Sequence, residues 1–211
     1  MNDIITTLRQ IHKSIKPQIE KRLKEFKGNN TDKKIAKEFF FCLLTPQCKA
    51  KVCWDNIKIL YNKGLLQKGS KEEIVKHLKG VRFSNNKAGY IVEAREKFFN
   101  GGCSLREIIE TTDNTFYLRE YIVSNVKGMG WKEASHFLRN VGRGEDLAIL
   151  DRHILKGLVM CSVIERIPKT LTRAGYMDIE NRMRKFAKTI GIPLSHLDFV
   201  FWYFFNKEVF K

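Results

Sequence analysis

The chain has 211 residues, of which 43% are hydrophobic and 29% are charged, a balance typical of a folded protein with a substantial core. It carries 39 Lys and Arg against 23 Asp and Glu, which gives a formal net charge of +16. This excess favours a polyanionic partner such as nucleic acid, although surface lysines also serve solubility alone.

Membrane and secretory classes are disfavoured by the distribution of apolar residues. No run approaches the roughly 18 apolar residues of a membrane span, and charged residues interrupt the N-terminal region where a signal peptide would be apolar. We therefore expect an intracellular protein, in the cytoplasm or nucleoid, with no membrane partner.

The cysteines argue against a disulfide framework and against a zinc site. They are odd in number and include no Cys-x-x-Cys pair. Their positions are Cys42, Cys48, Cys53, Cys103 and Cys161. The first three cluster among apolar residues, which favours packing over a redox or metal role.

Helical periodicity runs through most of the chain. Apolar residues recur at three-to-four spacing from Ile4 to Ile15, again from Ile35 to Leu44, and again from Ile57 to Tyr61. Gly or Asn residues that can end helices occur at 28–30, 64, 101–102 and 191, and strict alternation of apolar and polar residues is scarce. The sequence therefore predicts an all-α protein of about ten helices.

The middle of the chain is predicted to form one helical bundle, over approximately 35–125. Its 85–99 stretch reads as a helix that buries Ala88 and Ile91 on one face and presents Lys87 and Arg95 elsewhere. The two chain ends, 1–34 and 126–211, are predicted to form a second helical subdomain that includes a hairpin at 126–131.

That hairpin is predicted from a Gly-x-Gly turn between two apolar helices. Gly128 and Gly130 flank Met129, and a new helical pattern starts at once with Trp131 and Lys132. Bare backbone and the positive end of the following helix can together bind a phosphate oxygen. The motif alone is weak, because glycines commonly end helices.

A carboxylate follows the hairpin at the end of an apolar run. Leu147-Ala148-Ile149-Leu150 leads into Asp151, and a helical pattern begins after it. Asp151 is a suitable helix N-cap. One carboxylate oxygen can cap the helix while the other stays available for chemistry.

These elements together resemble the endonuclease III superfamily of DNA glycosylases. The resemblance rests on the hairpin, on Lys132 two residues beyond Gly130, and on the apolar run that ends in Asp151-Arg152-His153. Upstream, Leu43-Leu44-Thr45-Pro46-Gln47 resembles the loop whose polar side chain fills the gap left by a flipped base. The resemblance implies a helix-hairpin-helix fold with two helical subdomains flanking a DNA-binding cleft.

Within that superfamily the chain is similar to the archaeal-type, or type 2, 8-oxoguanine DNA glycosylase/lyases. The runs that carry this likeness are 131–142, 150–155, 167–171 and 202–203, together with a chain that ends in lysine. The likeness implies that Lys132 and Asp151 are catalytic. It also implies DNA contacts from Gln47, Gly128, Gly130 and His153.

The resemblance also implies a pocket for the damaged base. Phe83 and Trp202, with Met129 as a weaker candidate, are expected to wall it, and the terminal Lys211 is expected to read the lesion. Aromatic faces stack on a flipped base, and a free carboxylate can accept hydrogen bonds from a guanine edge. For His153 packing remains an equal interpretation, and His136 is interpreted as a packing residue.

The function expected from this resemblance is base-excision repair by a bifunctional 8-oxoguanine glycosylase and lyase, acting as a monomer on double-stranded DNA with a damaged base. An endonuclease III-like glycosylase for other oxidised bases and a non-catalytic helix-hairpin-helix DNA-binding protein remain alternatives. Only Cys161 follows Asp151, so no four-cysteine iron–sulfur cluster can form there. We expect no cofactor, apart from a monovalent cation that the hairpin could hold.

Overall fold

The computed structural model describes residues 2–101 and 104–209, and over these ranges the protein is all-α, as predicted. The helices are α1 (Asn2–Lys27), α2 (Asp32–Leu44), α3 (Ala50–Asn62), α4 (Leu65–Lys68), α5 (Lys71–His77), α6 (Ser84–Phe98), α7 (Leu105–Glu110), α8 (Thr115–Asn125), α9 (Trp131–Asn140), α10 (Arg152–Met160), α11 (Arg173–Ile190) and α12 (Leu194–Asn206). The described ranges thus hold twelve helices where about ten were predicted, because segments as short as α4 carry too few residues to show a period. None of these helices is long and apolar enough to cross a membrane.

The chain divides into two compact units. One unit comprises 29–141, and the other combines 1–28 with 142–211. These boundaries differ from the predicted ones, because the hairpin and α9 belong with the middle of the chain. The reason is packing: Ala134, Phe137 and Leu138 of α9 are fully buried, and the Phe137 ring lies 5.3 Å from that of Phe39 on α2.

The 29–141 unit is built around the aromatic face of α2. Phe39 makes edge-to-face contacts with Phe98 of α6 as well as with Phe137, a favourable geometry for buried rings. The prediction for α6 was wrong in one respect: Lys87 and Arg95 were expected to lie away from the buried face, and both are buried, at 4% and 7% exposure. Their charged groups donate to backbone carbonyls, which compensates for the loss of hydration.

The second unit brings α12 against α1 and α10. Gly157 on α10 is required there, because a Cβ added to it would overlap the ring of Phe201 on α12. The absence of a side chain lets the two helices approach closely. The contact fixes the part of α12 that carries Trp202.

Candidate active site

The predicted hairpin is present between α8 and α9. Helix α8 ends at Asn125, and the Met129 N–H donates to the Val126 carbonyl to close the turn. Gly130 is the N-cap of α9 and offers no side chain for capping. The first N–H groups of any α-helix lack an intrahelical partner, and here the N-cap supplies no side chain to them, which is the arrangement that binds phosphate at a helix N-terminus.

Gly128 is needed in this hairpin for two reasons. Its φ is 84°, in the left-handed region, and a Cβ at this position would overlap the ring of Tyr90. Tyr90 lies on α6, so that helix supports the turn from beneath. Sequence analysis missed Tyr90, because nothing in the local pattern links it to a glycine 38 residues away in the chain.

Lys132 occupies the first turn of α9, directly after the hairpin. Only 23% of its side chain is exposed, and its Nζ lies 3.4 Å from Oε1 of Glu133, whose side chain is 14% exposed. The Lys132 side chain is therefore mostly covered, and its amine has a carboxylate beside it. Glu133 was not among the predicted site residues, although its place next to Lys132 could have suggested it.

Asp151 is the N-cap of α10. Its Oδ1 accepts from the backbone N–H groups of His153 and Ile154, each at 2.8 Å. Its other oxygen, Oδ2, has no hydrogen-bond partner among the described residues. One oxygen thus begins the helix while the second remains available.

The irregular segment before Asp151 is held by α11. Residues 147–150 are all buried. The Tyr176 hydroxyl donates to the Ala148 carbonyl at 2.6 Å and accepts from the Leu150 N–H at 3.3 Å, and Glu180 accepts from the Ala148 N–H at 2.7 Å. Buried backbone outside helices needs such partners, and here they fix the position of the carboxylate.

The aromatic end of α12 surrounds His153. The His153 ring lies 5.2 Å from that of Trp202 and 5.5 Å from that of Phe205. The indole Nε1 of Trp202 is buried and has no hydrogen-bond partner among the described residues. An unsatisfied buried donor is costly, so this N–H is a candidate to bind a ligand.

Two predicted site residues in the 29–141 unit share an unusual backbone conformation. Gln47 and Phe83 have φ values of 55° and 58°, in the left-handed region that non-glycine residues seldom adopt. Both are exposed, Phe83 to 54%. Backbone strain of this kind concentrates at functional sites, so it supports both candidates.

The remaining predicted residues are placed as follows. Met129 is 3% exposed within the hairpin. His136 is 5% exposed with its ring 5.5 Å from that of Phe41, in line with a packing role. Lys211 lies outside the described residues. The described residues contain no group of three or more His, Cys, Asp or Glu side chains placed to hold a metal.

Comparison with known proteins places the chain in a family. The model of the 8-oxoguanine DNA glycosylase family matches residues 19–192. An 8-oxoguanine DNA glycosylase/AP lyase of Fusobacterium nucleatum is 44% identical, with 100% of this chain and 99% of that protein covered. One of Methanocaldococcus jannaschii is 42% identical over 93% of each chain.

Solved structures agree with these sequence matches. The M. jannaschii 8-oxoguanine glycosylase/lyase in complex with DNA containing 8-oxoguanine matches with a TM-score of 0.89 and 38% identity over 98% of this chain and 99% of that chain. The 8-oxoguanine DNA glycosylase of Thermotoga maritima matches with a TM-score of 0.89 and 33% identity over the whole of both chains. The chain belongs to the helix-hairpin-helix 8-oxoguanine DNA glycosylase family, and the resemblance found in its sequence is confirmed.

Proposed function

We propose that this protein is a bifunctional 8-oxoguanine DNA glycosylase and AP lyase that acts on double-stranded DNA in base-excision repair. The observation that carries the proposal is Lys132, an amine on a mostly covered side chain directly after a phosphate-binding type of hairpin, in a chain of this family. We propose that the enzyme is located where its DNA substrate is, in the cytoplasm or nucleoid.

The glycosylase step needs a nucleophile and a stabilising negative charge. The Lys132 amine attacks the sugar C1′, forming a C–N bond as the bond to the damaged base breaks and the base leaves with the electron pair. A lysine attacks only as the free amine, and the Glu133 carboxylate at 3.4 Å is placed to accept its proton. Positive charge develops on the sugar, and the carboxylate of Asp151 stabilises it.

The lyase step follows from the same covalent bond. Opening of the sugar ring converts the C1′–amine adduct to a protonated Schiff base, which acidifies the C2′ hydrogen. Loss of that proton expels the 3′ phosphate by β-elimination, and water then releases the lysine. This sequence uses an amine and carboxylates, so we expect chelation by EDTA to leave both activities unchanged.

Recognition divides between backbone contacts and base contacts. The hairpin N–H groups hold a phosphate, which positions the duplex without reading its sequence. Gln47 fills the gap left by the flipped base, and Phe83 and Trp202 stack on that base. We propose that the enzyme works as a monomer. A monovalent cation is the one ion that we propose for the hairpin. Replacing potassium in the buffer with a bulky organic cation tests whether that cation is needed.

A lesion panel with borohydride tests the proposal. Duplexes that differ only in one base, 8-oxoguanine, an oxidised pyrimidine, normal guanine or an abasic site, are incubated with the enzyme and sodium borohydride. We expect a covalent protein–DNA product with 8-oxoguanine and with the abasic site. Trapping on the oxidised pyrimidine in preference to 8-oxoguanine would assign an endonuclease III-like activity, and no trapping would leave a DNA-binding protein.

Gly128→Ala is expected to weaken binding to lesion-free and lesion-bearing duplex alike, by about tenfold, because a side chain there displaces the hairpin that holds phosphate. The matched control is Gly64→Ala, which also places alanine at a positive φ, 69°, but in open space. Fluorescence anisotropy on both duplexes measures the effect. Loss confined to the lesion-bearing duplex would contradict the phosphate role of the hairpin.

Deleting Lys211 is expected to slow excision of 8-oxoguanine while abasic-site cleavage is retained. We propose that Lys211 reads the lesion, and leaving polar groups of the guanine edge unpaired costs about 1–3 kcal/mol each. We therefore expect a loss of about tenfold to a hundredfold in single-turnover excision. Equal loss of both activities would remove Lys211 from lesion recognition.

A further inference from the structure

A buried lysine contacts the thiol of Cys48 next to the turn that carries Gln47. Lys87, on the first turns of α6, is 4% exposed. Its Nζ donates to the carbonyls of Leu44 at 2.8 Å and Pro46 at 2.7 Å and to Sγ of Cys48 at 3.3 Å. An ammonium has three donors, and all three are used here.

Cys48 has the surroundings of a reactive cysteine. Its sulfur also accepts the backbone N–H of Arg82 at 3.0 Å, so two donors, one of them a cation, point at it. The residue is partly exposed, so a small oxidant can reach it. Reactive thiols occupy partly exposed, electropositive sites of this kind.

Cys53 lies beside Cys48 in different surroundings. It is fully buried on α3, and its thiol donates at 3.3 Å to the Leu44 carbonyl. That carbonyl also accepts from Lys87, whose Nζ in turn donates to Cys48. Burial raises the pKa of Cys53 to about 12. One thiol is therefore exposed to oxidants, and the other is protected but adjacent.

We propose that Cys48 is a peroxide-sensitive thiol, that Cys53 resolves its oxidised form as a reversible disulfide, and that this change weakens DNA binding through the Gln47 turn. In the first step the Cys48 sulfur attacks a hydroperoxide, an S–O bond forms and the O–O bond breaks. Cys48 becomes a sulfenic acid, oxidised by two electrons, and hydrogen peroxide is reduced to water. The Cys53 sulfur then attacks that of Cys48, forming the S–S bond and releasing its proton with the oxygen as a second water.

The disulfide would alter the support of Gln47. The Cys48 N–H donates to the Thr45 carbonyl to close the turn, and Gln47 sits within it at a φ of 55°. Bonding to Cys53 draws the Cys48 sulfur away from Lys87 and leaves the buried ammonium with the carbonyls of Leu44 and Pro46 as its acceptors, an unfavourable state. The consequence for DNA binding rests on the proposed function, whereas the disulfide itself does not.

The chemical test uses hydrogen peroxide, quenched with catalase, followed by peptide mapping. Trypsin cuts after Lys49 and Lys51, so a Cys48–Cys53 disulfide joins peptide 38–49 to peptide 52–58. A Cys103→Ser background removes the cysteine that lies outside the described residues. We expect this crosslink to form at least about tenfold faster than oxidation of the buried Cys161, whose pKa burial raises to about 11.

Two variants separate the steps. Cys53→Ser should accumulate a sulfenic acid on Cys48 that dimedone traps, and fragmentation of peptide 38–49 distinguishes it from Cys42. Cys48→Ser should give neither product, and Cys161→Ser should behave as the parent protein. Absence of Cys48 modification in the parent and in Cys53→Ser would overturn the proposal.

The functional test measures affinity for a lesion-free duplex before oxidation, after it, and after dithiothreitol. We expect affinity to fall at least about threefold and to recover on reduction, while Cys48→Ser is unaffected by peroxide. If the disulfide forms and affinity does not change, the regulatory role is overturned while the thiol chemistry stands. If the reduced protein does not bind duplex at all, both the proposed function and the regulatory role are contradicted. The evidence for the disulfide, which comes from peptide mapping, still holds in that case.

Discussion

Replacing Lys132 with Gln is expected to abolish base release and borohydride trapping while leaving affinity for lesion-bearing DNA within a few-fold. Glutamine keeps a polar side chain of similar length but has no amine to attack C1′. Single-turnover excision of 8-oxoguanine and borohydride trapping on an abasic-site duplex measure the two activities. Anisotropy on the same lesion-bearing duplex measures binding.

Lys127→Gln is the matched control, because it removes the same charge from the other side of the hairpin. Its side chain is 65% exposed, and its Nζ lies 3.8 Å from Glu93 and over the Tyr90 ring. We expect Lys127→Gln to keep full trapping. Trapping that survives in Lys132→Gln would assign the nucleophile to another residue.

Asp151→Asn is expected to slow single-turnover base release by on the order of a hundredfold or more, as removal of one well-placed electrostatic group often does. Asparagine is also a good N-cap, so its side-chain oxygen can still accept the N–H groups of His153 and Ile154. The substitution therefore removes the charge and keeps the start of α10. Thermal unfolding should show little change in stability.

A second pair of variants separates the cap from the charge. Asp151→Ser also keeps a capping oxygen, and its single-turnover rate of base release should fall as that of Asp151→Asn does. Thr172→Ala removes a side-chain cap from α11, where Thr172 accepts from Gly175 at 3.2 Å, and should lower stability without changing the rate. A normal rate in both Asp151 variants would reduce Asp151 to a helix cap.

The features that could be predicted from sequence depend on residues close together along the chain. The hairpin, the place of Lys132 on the first turn of α9 and the capping role of Asp151 each depend on residues within one or two helical turns. Glycine permits the left-handed conformation that Gly128 adopts, whereas Gly130 has a φ of −91°. Such features are local, so periodicity and spacing reveal them.

What could not be predicted depends on contacts between distant segments. Lys87 was predicted to lie away from the buried face of its helix, yet it is buried and binds carbonyls of a turn about 40 residues earlier. The unit to which the hairpin belongs was misassigned for the same reason, since only the packing of α9 on α2 decides it. Tyr90 beneath Gly128 is a third case.

Because Tyr176 and Glu180 support residues 147–150, substitutions at these two positions should be poorly tolerated in this family. Both side chains bind backbone of the segment that ends in Asp151, although neither belongs to the proposed site. A catalytic group on an irregular segment needs a rigid support, and here two positions of α11 supply it. Related chains should therefore vary little at these two positions, and a survey of natural variation would find them restricted alongside the catalytic residues themselves.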